Sequence, residues 1–226
     1  MRPADRRLVD LSHAIPRTPS RAAGAKGLRG FAASWSNIFE TKLAETALLF
    51  FLDQVSTHID APAHFHPGGK TIDQMPPELV VEVPALLLDF SHKPDGEAIE
   101  PAELQAAIAK TGETLRAGDV VLVYTGASRH WGQARYFSRI VPIAPDAIRW
   151  LVSQGVRVIG ANEEEIDADQ YRWPAHMLLR ELEFYIIENL ALWPAVLELS
   201  ARFTLVAAPL CIRGATGAPV RVVAVL

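Results

Sequence analysis

The side chains best suited to metal chemistry lie close together early in the chain. Three of the seven histidines, at positions 58, 64 and 66, fall within nine residues, and Asp60 lies among them. If the segment up to Asp60 is a β-strand, alternate side chains share one face, so Gln54, His58 and Asp60 point the same way. Imidazole nitrogen beside carboxylate oxygen suits zinc, manganese or iron better than calcium, which prefers oxygen ligands alone. The cluster therefore predicts a metal site.

Two residues far along the chain could complete such a site. His176 precedes Glu188 by twelve residues, and Glu188 lies in the apolar segment 185–190. A buried carboxylate is costly unless it is paired, hydrogen-bonded or bound to a cation. An edge-strand glutamate that faces water is an equally good interpretation of this segment by itself. His176 and Glu188 are candidate ligands, and the residues alone leave both interpretations open.

Short apolar segments alternate with helical patterns along the rest of the chain. Pro101 and Pro145 each open a helical pattern, because proline is favoured in the first turn of a helix. Shorter helices are predicted at 176–182 and 194–199. Many of the apolar segments are rich in valine, isoleucine and leucine, as in strands buried on both faces. The predicted strands cover residues 8–11, 46–60, 85–90, 119–124, 156–160, 185–187, 203–207 and 220–225.

This alternation predicts an α/β fold, with one domain over residues 1–226 and a mixed, barrel-like β-sheet flanked by helices. No internal repeat or obvious linker divides the sequence. The segment 16–30 is rich in Ala, Gly, Arg and Pro and shows little apolar periodicity. We expect it to be a surface loop or arm.

Composition and charge narrow the functional classes. A net charge of −4 gives no electrostatic basis for binding nucleic acid or an anionic membrane. The apolar segment 47–52 is far shorter than the roughly 20 residues that span a bilayer. The single Cys211 permits a reducing compartment, and no phosphate-binding loop or Gly-x-Ser-x-Gly motif is present. We expect a soluble, cytoplasmic protein that acts on a small molecule.

The segment 54–64 also carries a family signature. It matches the pattern His-x-Gly-Thr-His-x-Asp-x-Pro-x-His at Thr57, His58, Asp60, Pro62 and His64. Through these residues the chain resembles the cyclase family of metal-dependent hydrolases, which includes kynurenine formamidase and isatin hydrolase. The spacing of the later His–Glu pair is similar as well. Four further similar segments lie at 10–13, 124–131, 156–160 and 208–221.

The resemblance implies a fold of the swivelling β/β/α type and a particular chemistry. Asp60 and Glu188 would lie between two divalent cations, zinc or manganese, with His58 completing one metal's shell and His176 the other's. His64 would act beside them as general acid and base. The implied reaction is hydrolysis of an amide, formamide or lactam C–N bond in a small substrate such as an aromatic formamide. Relatives of this kind commonly form homo-oligomers.

Three departures from the family pattern bear on function. Gln54 stands where the family has its first histidine, so its carbonyl oxygen could be a fifth, weaker ligand, or that position could stay empty. An Asp and a Ser of the family are replaced within residues 162–165, whose glutamate run is predicted to be a solvated loop. The family's Pro-Gly-Asp turn has no counterpart, which leaves Trp35 and Phe39 as candidate walls of the substrate pocket. These departures also allow a second hypothesis, a non-catalytic protein of the same fold that binds a small molecule or a partner.

Overall fold

The computed structural model describes residues 6–15, 30–35, 46–169, 171–198 and 200–226, with the backbone alone for residues 30–35, 46–48 and 50. Within these ranges, a nine-stranded mixed sheet curls into a half-barrel. A separate antiparallel pair is formed by β2 (Gly30–Trp35) and β3 (Thr46–Phe51).

The large sheet combines parallel and antiparallel pairing. Its strands are β1 (Leu8–Asp10), β4 (His58–Asp60), β5 (Val81–Asp89), β6 (Val120–Tyr124), β7 (Val158–Ala161), β8 (Tyr185–Glu188), β9 (Arg202–Val206), β10 (Gly217–Pro219) and β11 (Val223–Val225). Their order across the sheet is β1–β11–β9–β5–β6–β7–β8–β4–β10. Pairing is parallel from β5 through β8 and antiparallel elsewhere. The short strand β4 is thereby held between β8 and β10.

Four α-helices accompany the sheet in the described part of the chain. They are α1 (Pro101–Thr111), α2 (Pro145–Ser153), α3 (Met177–Leu182) and α4 (Pro194–Leu197). Proline opens three of them, as the sequence predicts. Gly112 ends α1 in the left-handed conformation, with a φ of 75°, which glycine adopts without steric cost. Among the described helices, none has the length and apolar character needed to cross a membrane.

A hydrophobic core lies on each face of the sheet. In β6, Val120 and Leu122 belong to one core, whereas Val121 and Val123 belong to the other, which also contains side chains of α1, α2 and α3. Successive side chains of a strand point to opposite faces, so a strand covered on both sides must be apolar at every position. This explains the uninterrupted apolar segments of the sequence.

The predicted α/β fold with a mixed, barrel-like sheet is confirmed. Two of the predicted strands are wrong in extent. The segment 46–60 forms β3 and β4 with a turn between them, where Ser56 has a φ of 56°. The segment 220–225 contributes only β11, and β10 precedes it. The predicted arm at 16–30 lies outside the described residues except for Gly30, the first residue of β2.

The turn before β4 corrects one part of the predicted site. Because the extended backbone is interrupted at Ser56, Gln54 does not lie on the same strand face as His58 and Asp60. Those two residues do lie on one face of β4, two positions apart.

Candidate metal centre and active site

Strand pairing brings together residues that are distant in the sequence. In the antiparallel register of β4 and β8, His58 lies opposite Glu188. The Nε2 atom of His58 is 3.5 Å from Asp60 Oδ1 and 3.4 Å from Glu188 Oε2. The three side chains are buried, and each offers a ligand atom within 4.8 Å of the others. The predicted pairing of an early His–Asp motif with a late glutamate therefore has a simple cause in the sheet.

Gly217 lies on the edge of β4 opposite to β8. It lies opposite Asp60 in the β10 pairing. A Cβ atom at this position would lie 2.9 Å from the carbonyl oxygen of Ile59, 3.0 Å from Asp60 Oδ1 and 3.2 Å from Gln54 Nε2. Such contacts are too short for a methyl group. Glycine at position 217 therefore allows β10 to approach the site this closely.

His176 joins the cluster from the residue before α3. Its Nε2 atom is 3.3 Å from Glu188 Oε1 and 3.8 Å from Asp60 Oδ2. Its other ring nitrogen, Nδ1, lies 2.6 Å from Asp167 Oδ2. The backbone N–H of His176 donates to the same oxygen at 2.9 Å, and that of Ala175 donates to Asp167 Oδ1 at 2.6 Å. Asp167 therefore fixes both the backbone and the ring of His176.

Asp167 was not among the residues predicted for the site. Its only sequence signal is an acidic residue nine positions before His176. A carboxylate that accepts from the distal nitrogen of a ligating histidine is a common support of metal sites. Such a partner is recognised only once the histidine itself has been placed.

The charges of the cluster stabilise one another. Burial by itself lowers the pKa of His176, but its hydrogen bond with Asp167 and the carboxylates of Asp60 and Glu188 raise that pKa well above its ordinary value. Burial by itself raises the pKa of Glu188, but the two histidines beside it bring that pKa down. The pKa of His58 is raised despite burial, because Asp60 and Glu188 face it. The carboxylate of Glu188 thus stays ionised although it is buried.

The donor set fits a divalent cation. Asp60 Oδ1 and Glu188 Oε1 are buried and accept no hydrogen bond from the part of the chain that the structure describes. The Nδ1 atom of His58 lies 2.9 Å from the carbonyl oxygen of Ser56, which can only accept, so Nδ1 carries the proton. When the ring has given up its second proton, as binding of a cation requires, Nε2 presents its lone pair toward the carboxylates. Lone pairs that converge in a buried site are stabilised by a cation, and nitrogen with carboxylate oxygen suits zinc or manganese.

His64 and Gln54 lie beside this cluster. His64 ends a 3₁₀ turn that follows β4, and its ring centroid is 6.4 Å from that of His176. Its Nδ1 atom is 3.3 Å from Gln54 Nε2 and 3.3 Å from Thr216 Oγ1. The amide nitrogen of Gln54 also donates to Thr216 Oγ1 at 3.0 Å. The His64 ring therefore lies next to the cluster and contacts Gln54 and Thr216.

A cavity of about 260 Å³ opens over these residues. Trp173 lines it, and the rings of Trp173 and Phe65 pack against His176 with centroid distances of 5.4 and 4.8 Å. The aromatic wall predicted at Trp35 and Phe39 is not tested, because Phe39 and the side chain of Trp35 lie outside the described part of the structure. The described residues that line it are Leu52, Gln54, His58, Asp60, His64, Glu164, Glu165, Trp173, His176 and Glu188.

The prediction that the glutamate run 163–165 is solvated is wrong. All three side chains are buried, with exposed fractions of 0, 6 and 4%. Glu163 accepts hydrogen bonds from the hydroxyl of Thr125 and the backbone N–H of Val141. Burial raises its pKa to about 7, although these donors oppose the shift. For Glu163, partners that are distant in the sequence, Thr125, Arg139 and Val141, offset part of the cost of burial.

Comparison with known proteins places these features in a family. The family described as putative cyclase matches residues 9–168. Kynurenine formamidase of Bacillus cereus is 30% identical over 195 residues, which cover 85% of each chain. Kynurenine formamidase of Salinibacter ruber is 30% identical over 174 residues, covering 74% of this chain and 73% of that protein.

Solved structures agree over nearly the whole chain. Isatin hydrolase A from Labrenzia aggregata, bound to benzyl benzoate, superposes with a TM-score of 0.81 at 26% identity, covering 98% of this chain and 94% of that one. A protein described as a predicted metal-dependent hydrolase from Bacillus stearothermophilus gives a TM-score of 0.74 at 25% identity, with coverage of 98 and 99%.

Proposed function

The chain belongs to the cyclase family, and from that premise we propose that it is a metal-dependent hydrolase of a formamide or related amide bond in a small aromatic substrate. The observation that carries this proposal is the buried set of two histidines and two carboxylates beneath a cavity, with His64 beside it. The formamidase and isatin hydrolase relatives support the same bond type.

We propose that His58, Asp60, His176 and Glu188 hold zinc or manganese, as one or two ions. The unpartnered carboxylate oxygens Asp60 Oδ1 and Glu188 Oε1 support this assignment. A bound divalent cation would polarise the scissile carbonyl and lower the pKa of a nearby water. Asp167 would keep the Nε2 lone pair of His176 directed at the cation by holding the proton on Nδ1.

His64 would handle the proton that the reaction must move. Hydrolysis adds water to the carbonyl carbon, breaks the C–N bond and leaves a proton for the departing nitrogen. A histidine that lines the cavity without belonging to the buried cluster can take the proton from water and pass it to that nitrogen. His64 is the described residue that best meets both conditions.

The cavity favours a small ring. Its volume of about 260 Å³ is at the low end for ligand pockets, which usually have about 300–1,000 Å³. The indole of Trp173 provides an apolar surface against which an aromatic substrate could pack. We therefore expect an aryl formamide or a lactam fused to an aromatic ring to be preferred over aliphatic formamides.

A substrate comparison tests this proposal. The purified protein, supplied with manganese or zinc, is assayed against N-formylkynurenine, isatin and an aliphatic formamide of similar polarity. Hydrolysis of one aromatic compound with little turnover of the aliphatic control is the expected result. Absence of turnover with all three, in protein that contains bound metal, would contradict the proposal and favour the non-catalytic alternative, for which Gln54 in place of histidine is the specific observation.

Three further expectations from the sequence stay predictions. They are the single domain over residues 1–226, the cytoplasmic location and self-association into a homo-oligomer. Light scattering coupled to size-exclusion chromatography tests the last of these directly.

A further inference from the structure

Gln54 occupies the position of a family histidine, and its amide nitrogen contacts Thr216 and His64. That nitrogen donates to Thr216 Oγ1 at 3.0 Å and lies 3.3 Å from His64 Nδ1. The contacts of Gln54 are therefore those of a group that holds a neighbouring histidine.

Asp53 anchors the other partner of Gln54. Its Oδ2 atom accepts the backbone N–H of Thr216 at 3.1 Å and the hydroxyl of Thr216 at 3.0 Å. The threonine oxygen is thereby fixed at the point where it meets both the Gln54 amide and the His64 ring. Gly217 adjoins this arrangement, since a Cβ there would lie 3.2 Å from Gln54 Nε2.

These contacts select one neutral form of His64. If Nδ1 carried the proton, two N–H groups, one of His64 and one of Gln54, would face each other at 3.3 Å. An unprotonated Nδ1 can instead accept from the Gln54 amide while the Thr216 hydroxyl continues to donate to Asp53. The favoured neutral ring therefore carries its proton on Nε2.

We propose that Gln54 is a positioning residue for His64, which it holds through its amide nitrogen. Asp53, Thr216 and Gln54 together hold Nδ1 of His64 as an acceptor, so that Nε2 is the atom that exchanges protons with the substrate. The catalytic consequence rests on the role proposed above for His64. The preferred tautomer of His64 follows from the contacts alone and is measured without any substrate.

The test uses two isosteric substitutions, Gln54→Met and Thr216→Val, in the full chain loaded with metal. Gln154→Met serves as the matched control, because Gln154 is exposed at the end of α2. Nitrogen-15 NMR of the histidine rings at alkaline pH reports the tautomer of His64, which is assigned with His64→Gln. We expect the Nε2–H form in the unaltered protein and the control, and a mixture of both tautomers in Gln54→Met.

Metal content and kinetics complete the test. Both substitutions should leave the metal equivalents per chain unchanged, lower kcat about 10-fold and leave KM nearly unchanged, as loss of orientation at a proton-transfer group predicts. Loss of one metal equivalent in Gln54→Met but not in Thr216→Val would overturn the proposal in favour of a ligand role. A His64 tautomer that is unchanged in Gln54→Met, or Nδ1–H in the unaltered protein, would overturn it too. If no substrate is turned over, the NMR and metal results still decide the role of Gln54.

Discussion

Glu188 and Glu163 are both fully surrounded by protein, yet their carboxyl groups are shifted in opposite directions. Glu188 faces the rings of His58 and His176, and its pKa is lowered. Glu163 accepts hydrogen bonds from a threonine hydroxyl and a backbone N–H, and Arg139, 3.7 Å away, also pairs with Asp95. The pKa of Glu163 is nevertheless raised to about 7. The residue type and the burial are the same, so the difference comes from the partners.

The comparison shows what marks a buried carboxylate as a candidate cation ligand. Burial favours the neutral acid, and at Glu163 two hydrogen-bond donors and one shared arginine offset only part of that effect. At Glu188 the histidines keep the carboxylate ionised, and one of its oxygens is left without a hydrogen bond. Glu188 is therefore an ionised carboxylate that a bound cation would stabilise. Glu163 can instead be a neutral acid near pH 7.

The most direct test of this difference replaces each of the two glutamates by glutamine in turn. Glu188→Gln should lose metal and lower turnover about 1,000-fold, because the several kcal/mol that a metal supplies correspond to that factor. Glu163→Gln, the matched control, should keep its metal and most of its activity. Elemental analysis and steady-state kinetics are the measurements. Equal loss of metal in both variants would contradict the assignment.

Removing His64 separates proton transfer from metal binding. His64→Gln should lower kcat about 100-fold or more, the usual contribution of a general acid or base, with unchanged metal content. His92→Gln, an exposed position, is the control and should behave like the unaltered protein. A His64→Gln variant with normal kcat would exclude the proposed role.

A substitution at Asp167 tests whether the hydrogen bonds that hold His176 contribute to metal affinity. Asp167→Asn replaces an oxygen that accepts from His176 or Ala175 with a donor, so the ring of His176 should lose its fixed orientation. Metal affinity should fall about 10- to 100-fold. Asp169→Asn, on the same loop, should leave the affinity unchanged. Manganese titration followed by calorimetry measures both, and equal affinities would show that Asp167 serves only the backbone.

The smallest effect concerns the pH dependence of stability. The raised pKa of Glu163 means that the folded state keeps this proton up to about pH 7, whereas the unfolded chain releases it near its ordinary value of 4.5. The stability from this group is complete below pH 4.5 and is lost as the pH rises to about 7. Glu163→Gln removes that loss, so its melting temperature relative to the unaltered protein should rise between pH 5 and pH 8. A gain on the order of 1 kcal/mol, a few degrees, is expected; a constant difference would contradict the shift.

Local patterns predicted the elements that local physics determines. The His58–Asp60 pair shares a strand face, and the proline-opened helices begin where the sequence indicates. The pattern could not show the break at Ser56, whose left-handed backbone is sustained by hydrogen bonds from its side chain to the carbonyl oxygens of His13 and Ala14. The prediction that Gln54 shares a strand face with His58 and Asp60 is therefore wrong.

The remaining errors arise from tertiary contacts. The burial of Glu163 depends on Thr125 and Val141, and neither lies near it in the sequence. Asp167 and Trp173 likewise gain their roles from the position of His176. Periodicity in the sequence cannot predict such tertiary contacts. The family signature around His58 and the later His–Glu pair do predict the cluster that the strands bring together.

The central claim is that the buried cluster holds a metal on which hydrolysis depends. The most direct test strips the protein with a chelator, returns manganese or zinc in steps, and follows bound metal and turnover of N-formylkynurenine in the same samples. We predict that turnover is absent in the stripped protein and rises in proportion to bound metal until the cluster is filled. Turnover that persists in metal-free protein, or bound metal that brings no turnover of this or any other aromatic amide, would contradict the claim.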